Sequence, residues 1–169
     1  MVPGGRIRPL VGAVAAVVAV VAGCSGAGTP QPDTATTEAT VVHIVDGDTF
    51  DVTLPGGGEE RIRPPQIDTP EIGECGHGEA SSELAALILG ETVMLVPTAD
   101  GPDRDAHGRL LRAVELNGTD VGELLVLAGL ARWVPRYAQE DRELAARYEA
   151  AEAQARDAAT GLWSTCDWS

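Results

Sequence analysis

Five short segments of strand character, each cut off by glycine or proline, constrain the fold of this chain more than any other feature. Residues 41–45 (VVHIV) and 49–54 (TFDVTL) flank Asp46-Gly47-Asp48, and Pro55-Gly56-Gly57-Gly58 ends the second segment in a turn. Residues 60–67 (ERIRPPQI) form a third segment. Pro64 and Pro65 cannot donate ladder hydrogen bonds, which assigns that stretch to an edge or a bulge. Residues 92–97 (TVMLVP) and 109–116 (RLLRAVEL) supply two more, joined by the charged loop 98–108. Helical spacing appears at 79–89, where Leu84, Leu87 and Ile88 share a face and Gly90 closes the helix. It recurs at 121–129, with Asp120 and Glu123 as a capping box, and at 140–160, with Leu144, Tyr148, Ala151 and Ala155 in one stripe. Short strands with helices inserted late predict an α+β domain, a five-stranded OB-fold β-barrel with three α-helices.

That domain occupies only part of the chain. Residues 1–23 carry Arg6 and Arg8, then the run LVGAVAAVVAVVAG, which has the form of an export signal. The run is shorter than the roughly 20 residues a spanning helix needs. Val21-Ala22-Gly23-Cys24 resembles a bacterial lipobox, which would make Cys24 a lipidated N-terminus anchored to a membrane; an ordinary signal peptide with a cysteine beside it is the other reading. Residues 24–39 contain small, polar and proline residues that cannot bury enough apolar area to order themselves, so they read as a flexible linker. The domain is expected over 40–169. Location follows: exported, either lipid-anchored at the outer face of the cytoplasmic membrane or extracellular.

With Cys24 set aside, Cys75 and Cys166 remain, and in an oxidising compartment they suggest one disulfide, with two free thiols as the alternative. A zinc site is disfavoured, because Cys75 and His77 lack two further ligands at suitable spacing. Charge pulls against one functional class. Removing residues 1–23 takes two arginines and no acids, so 10 arginines face 26 Asp and Glu, a net of −16 against −14 for the whole chain. There is no lysine, and the basic footprint expected of a nucleic-acid binder is absent from the composition.

Three segments nevertheless concentrate polar residues beyond what a core needs. They are Val45-Asp46-Gly47-Asp48-Thr49, Arg63-x4-Asp68-Thr69-Pro70-Glu71, and Asp105-Ala106-His107-Gly108-Arg109. Each is weak alone, and Asp46-Gly47-Asp48 by itself reads as a hairpin cap. Together, carboxylates and two arginines suit phosphodiester cleavage. Attack on a phosphodiester builds negative charge on its oxygens, which a hard cation held by carboxylates and a bidentate guanidinium both stabilise. A further carboxylate can orient or deprotonate the attacking water.

In order and separation, VDGDT, RxxxxDTPE and DxxGR resemble the staphylococcal nuclease (thermonuclease) family, and the similarity runs on through GLAR at 129–132 and residues 149–164. The resemblance implies a five-stranded OB barrel with three helices and calcium as cofactor. It implies metal binding by the carboxylates of Asp48 and Asp68 and the carbonyl of Thr69, with Asp46 behind them. Glu71 would position or deprotonate water, and Arg63 and Arg109 would grip the scissile phosphate of DNA or RNA, giving 3′-phosphate ends. Two departures concern the substrate side: His107 stands where the family often has tyrosine, and is either a stacking group or a solvated loop residue, and the lysines that line the groove in basic members have no equivalent; Tyr137 falls where family members have tyrosines near the nucleotide pocket. Pro64-Pro65 is a third departure, beside Arg63. A monomer is expected. The alternatives are a catalytically weak or inactive nucleic-acid- and calcium-binding OB module at the cell surface, and a calcium-stabilised adhesion domain, for which Arg63 and Arg109 have no use.

Overall fold

In the computed structural model, which describes residue 1 and residues 35–168, strand alternation begins earlier than expected. The signal segment, Cys24 and the linker as far as residue 34 lie outside the described residues. The first strand, β1 (Thr37–Ile44), buries Ala39 and Val41 while Glu38, Thr40 and Val42 face outward. The linker therefore stops short of residue 37 rather than at 39, because Ala39 is small and apolar enough to face the core and its neighbours pair with another strand.

Seven further strands follow: β2 (Phe50–Thr53), β3 (Glu59–Arg63), β4 (Ile67–Asp68), β5 (Thr92–Pro97), β6 (Leu110–Leu116), β7 (Thr119–Asp120) and β8 (Arg132–Trp133). Strands β3-β2-β1-β5-β6 are hydrogen-bonded in that order, and β3 pairs parallel with β6 to close a five-stranded mixed barrel. Strand β7 extends β6 through the Asn117-Gly118 turn, and β4 with β8 forms a separate two-stranded ladder. Closure corrects the expected edge position of the third strand. β3 bonds to β2 on one side and β6 on the other, and the two prolines begin one residue past its end, so they remove no ladder donor.

Helices α1 (His77–Ile88), α2 (Val121–Leu127) and α3 (Arg142–Asp157) pack around this barrel, followed by the short α4 (Leu162–Thr165). Asp141 caps α3 by accepting from Leu144 N at 3.0 Å, which starts it two residues later than its apolar stripe suggests. Asp120 caps α2 through Glu123 N at 2.9 Å. The capping box is only half formed, because the Glu123 carboxylate instead meets Arg147. Asp120 also accepts from the buried Tyr148 hydroxyl at 2.9 Å; burial, then the Asp120 charge, push that hydroxyl well above the usual tyrosine pKa. The barrel interior joins Val41, Phe50, Val52, Ile62, Val93, Leu95 and Val114 to Leu84, Ile88, Leu125 and Tyr148 from the helices, all at most 1% exposed. Among the described residues no helix is long and apolar enough to cross a membrane. Cys75 and Cys166 form a disulfide with Cα atoms 5.8 Å apart.

Candidate active site

Each of the three polar segments is delivered by a strand end, and local chemistry explains how. The turn after β1 is held by Val45 N and Asp46 N donating to Thr49 O at 2.9 and 3.2 Å, and by Asp48 N donating to the Asp46 carboxylate at 3.0 Å. Gly47 is required there. A Cβ at this position would lie 2.7 Å from Thr69 Oγ1 and 2.8 Å from the Ala80 Cβ, closer than side-chain carbons approach. Its absence lets the turn press onto the next segment, where Asp48 Oδ2 accepts from Thr69 N at 2.9 Å and Thr69 Oγ1 at 3.1 Å.

That next segment reverses direction after β3. Pro64 and Pro65 end the ladder, and Gln66 takes a left-handed φ of 64°, which turns the chain back into β4. Gln66 is almost fully buried and ties this bend to the far wall: its carbonyl accepts from Val134 N at 2.7 Å and its Nε2 donates to Asp141 O at 3.0 Å. Arg63, at the end of β3, reaches back between the carboxylates, with Nε 3.0 Å from Asp48 Oδ1 and Nη2 3.3 Å from Asp68 Oδ1. The prolines thus leave Arg63 beside Asp68.

The third segment is an Asp-anchored loop before β6. Asp105 Oδ1 accepts from His107 N at 2.8 Å and Arg109 N at 3.0 Å, with Gly108 at φ 80° between them. Its Oδ2 takes the Arg109 Nε at 2.6 Å, and Arg109 Nη1 donates to Thr49 Oγ1 at 3.2 Å. One chain of hydrogen bonds therefore joins Asp46, Asp48, Thr49, Arg63, Asp68, Thr69, Asp105 and Arg109.

Electrostatics differ sharply at the two ends of that chain. Burial raises the Asp48 carboxyl above its ordinary value; Arg63 opposes this, but the charges of Asp46 and Asp68 add to it. Asp105 shows the reverse outcome. Burial pushes it up, yet the Arg109 side chain and the backbone amides of Arg109 and His107 pull it below the usual carboxylate range. The Asp46–Asp48–Asp68 end thus carries more negative charge than Arg63 offsets, and its donors are all oxygen. That combination fits a hard divalent cation, with the Asp48 and Asp68 carboxylates and the Thr69 carbonyl as the candidate set. No group of three or more His, Cys, Asp and Glu arranged as a metal cage occurs among the described residues, so any such ion would depend on further oxygen ligands from water or substrate.

The remaining expected residues are placed less centrally. Glu71 is exposed one residue past Pro70, in a turn where its N donates to Glu74 Oε2 at 2.8 Å and its carbonyl accepts from Glu74 N at 2.9 Å. The His107 ring is exposed and lies outside the neighbouring cleft, whereas Tyr137 lines it. This cleft has a volume of about 320 Å³, with Arg63, Pro65, Arg109, Val134, Arg136 and Tyr137 on its walls. Arg104 lines it too. Of the ten arginines after residue 23, four line this one cleft, together with Asp105 and Glu140. Asp105 opens the third polar segment but has no assigned role in the sequence-derived site, and Gln66 and Arg136 are absent from it. Asp105 has a readable signal, an acid four residues before Arg109 across a glycine turn. Gln66 and Arg136 have none, since their roles depend on contacts between segments far apart in the chain.

Arginines beside clustered carboxylates at the mouth of a cleft provide the parts to bind a phosphate and polarise it. Comparison with known proteins agrees with that chemistry. The family model described as staphylococcal nuclease homologue matches residues 61–165. The chain is 33% identical over 139 residues to an uncharacterised protein of Bacillus anthracis, covering 76% of this chain and 62% of that protein. It is 30% identical over 132 residues to the SPbeta prophage-derived endonuclease YokF of Bacillus subtilis (strain 168), covering 75% and 44%. It is 33% identical over 133 residues to the micrococcal nuclease of Shigella flexneri, covering 73% and 72%. The chain thus spans less than two thirds of the first two relatives and nearly three quarters of the third. Because that family match covers more than half of the chain, the chain belongs to the family of staphylococcal nuclease homologues.

Proposed function

We propose that this protein is a calcium-dependent nuclease that hydrolyses DNA or RNA at the 5′-O–P bond and leaves 3′-phosphate ends. One observation carries the reading: Arg63 and Arg109 are both held against the Asp48–Thr49 turn, at the mouth of a cleft of nucleotide size. Calcium, when bound by Asp48, Asp68 and the Thr69 carbonyl, supplies positive charge to a phosphate oxygen and offsets the acid cluster.

The chain's own residues do the rest. Arg109 spends Nε and Nη1 on Asp105 and Thr49 and keeps Nη2 for a phosphate oxygen. Arg63, held by Asp48, Asp68 and the Pro64 carbonyl, adds a second positive charge for that phosphate, and both guanidiniums stay charged at any working pH. Preorganisation matters here, because donors already fixed by Asp105 and Asp48 need not reorganise as charge builds on the phosphorus oxygens. Glu71, on the exposed turn just after Asp68-Thr69-Pro70, accepts a proton from the attacking water or orients it. The bond from phosphorus to the 5′-oxygen breaks and that oxygen leaves with a proton from solvent. Tyr137 offers its ring to a sugar or base in the cleft.

The protein is exported and acts as a monomer, lipid-anchored through Cys24 at the outer face of the cytoplasmic membrane. The Cys75–Cys166 bridge supports an oxidising location. Cys24→Ser should move the protein from the membrane to the soluble fraction; unchanged partitioning removes the anchor. Activity is tested on the full chain with plasmid and single-stranded substrates, with calcium and with a chelator. Calcium-dependent cleavage leaving 3′-phosphate ends is expected, and cleavage unaffected by the chelator contradicts the proposal.

A further inference from the structure

Three of the four cleft arginines are already answered by carboxylates. Arg63 meets Asp48 and Asp68, Arg109 meets Asp105, and Arg104 makes two 2.8 Å bonds to Glu60. Arg136 is the exception. Among the described residues no carboxylate lies within ion-pair distance of it, although Glu140 lines the same wall. Its guanidinium is exposed and sits 4.7 Å from the centroid of the Tyr137 ring, on the 3₁₀ turn Pro135–Tyr137.

An exposed arginine ordinarily loses much rotamer freedom when it takes a ligand. Stacking on an aromatic face restricts that freedom beforehand, while leaving the edge N–H groups open to an anion. In a chain with so large an acidic excess, a cleft arginine without a carboxylate partner keeps its charge available to a phosphate in the cleft. The cleft, at about 320 Å³, is at the lower end of the ligand-pocket range and suits one nucleotide. A strand whose scissile phosphate lies at Arg63 and Arg109 continues past that nucleotide toward another wall.

From this we infer that Arg136, preorganised on Tyr137, binds a phosphate flanking the scissile one, so that the protein selects oligonucleotides over single nucleotides. The inference rests on the nucleic-acid reading above and adds a residue that reading does not use. It gives the acidic chain a local substitute for a basic surface: one added contact inside the cleft in place of long-range attraction.

The test is equilibrium binding of a fluorescent single-stranded oligonucleotide to the full chain, followed by anisotropy in a chelator across a salt series. Arg136→Ala should weaken binding about tenfold at low salt, the low end for a charge-assisted hydrogen bond. It should also lower the slope of log Kd against log salt by about 0.7, the value for one phosphate contact on a single strand. Arg136→Lys should recover the slope but not the full affinity, since an ammonium lacks the planar fork. Arg142→Ala, an exposed arginine outside the cleft, makes the same change in net charge and should leave the slope alone. Unchanged affinity and slope in Arg136→Ala, or an equal loss in Arg142→Ala, overturns the inference while the nuclease reading stands. A wild-type chain that neither binds nor cleaves overturns both.

Discussion

Replacing Cys75 and Cys166 together with serine removes one covalent link and little else, since Cys75 is exposed and Cys166 half-buried. The link spans 91 residues. In the chain-entropy model a loop of that length contributes about 4.6 kcal/mol at 25 °C, by restricting the unfolded ensemble. A domain of this size has a total stability of only about 5–15 kcal/mol, so the loss is a third of it or more. With about 2.1 cal/mol/K of unfolding entropy per residue over roughly 134 residues, the melting temperature should fall by about 16 °C. The bond also ties the Glu71–Glu74 turn to the C-terminal segment, because Cys75 is the next residue after Glu74. Gly76, beside it, has no room for a Cβ, which would lie 2.2 Å from Leu162 Cδ1. Activity should therefore fall along with stability, even well below the melting point. Thermal denaturation by circular dichroism, on the double variant and on wild type with reductant, reads the first effect; cleavage rates at 25 °C read the second. A drop of less than about 5 °C would refute the account of the bridge as a constraint on the unfolded chain.

Gly47→Ala should cost about 1–3 kcal/mol by overpacking against Thr69 and Ala80, and should impair cleavage more than its stability loss explains; denaturant melts beside initial rates compare the two, and a neutral variant contradicts the packing argument. Asp105→Ala leaves Arg109 in place but held by Thr49 alone, so kcat/KM should fall about 10- to 100-fold, less than on deleting Arg109 itself; a loss equal to that of Arg109→Ala would assign Asp105 more than a positioning role. Stability should respond to pH in two opposite ways. Arg61, Arg104 and Arg109 hold Asp51, Glu60 and Asp105 below their ordinary values, so their contributions are complete above the unfolded values of 3.8 to 4.5 and are lost as pH falls through the lower folded ones. Asp48 is raised, so in metal-free protein its contribution is present below 3.8 and is lost as pH rises through its folded value. Calcium should thus raise the melting temperature increasingly as Asp48 ionises. Thermal shift with and without calcium across this range checks both, and a calcium effect independent of pH counts against Asp48 as a ligand.

Much of this is legible in the residues themselves. The barrel strands read from alternation because each has one buried face: Phe50 and Val52 against Asp51 and Thr53, and Ile62 between Arg61 and Arg63. The site segments read because they sit at glycine- or proline-marked strand ends. What is not legible depends on partners distant in sequence. ERIRPPQI looks like an edge because its prolines cannot pair, yet the strand stops at Arg63 and its parallel partner Leu110–Leu111 cannot be seen from its own residues. Ala39 looks like linker, since a lone alanine among polar residues carries no signal until β5 is beside it. Net charge is silent for a similar reason, because a sum over the chain cannot show that four arginines line one cleft.

The central claim is that the Asp48–Arg63–Asp68 cluster, Glu71 and Arg109 act together on a phosphodiester. It is tested most directly by single-turnover cleavage of an end-labelled oligonucleotide by the full chain in calcium, beside Glu71→Gln and Arg109→Ala. Loss of an interaction made only in the transition state should lower kcat by about 10²-fold or more in each variant, with melting temperatures within a few degrees of wild type. Cleavage at the wild-type rate by both variants contradicts the account.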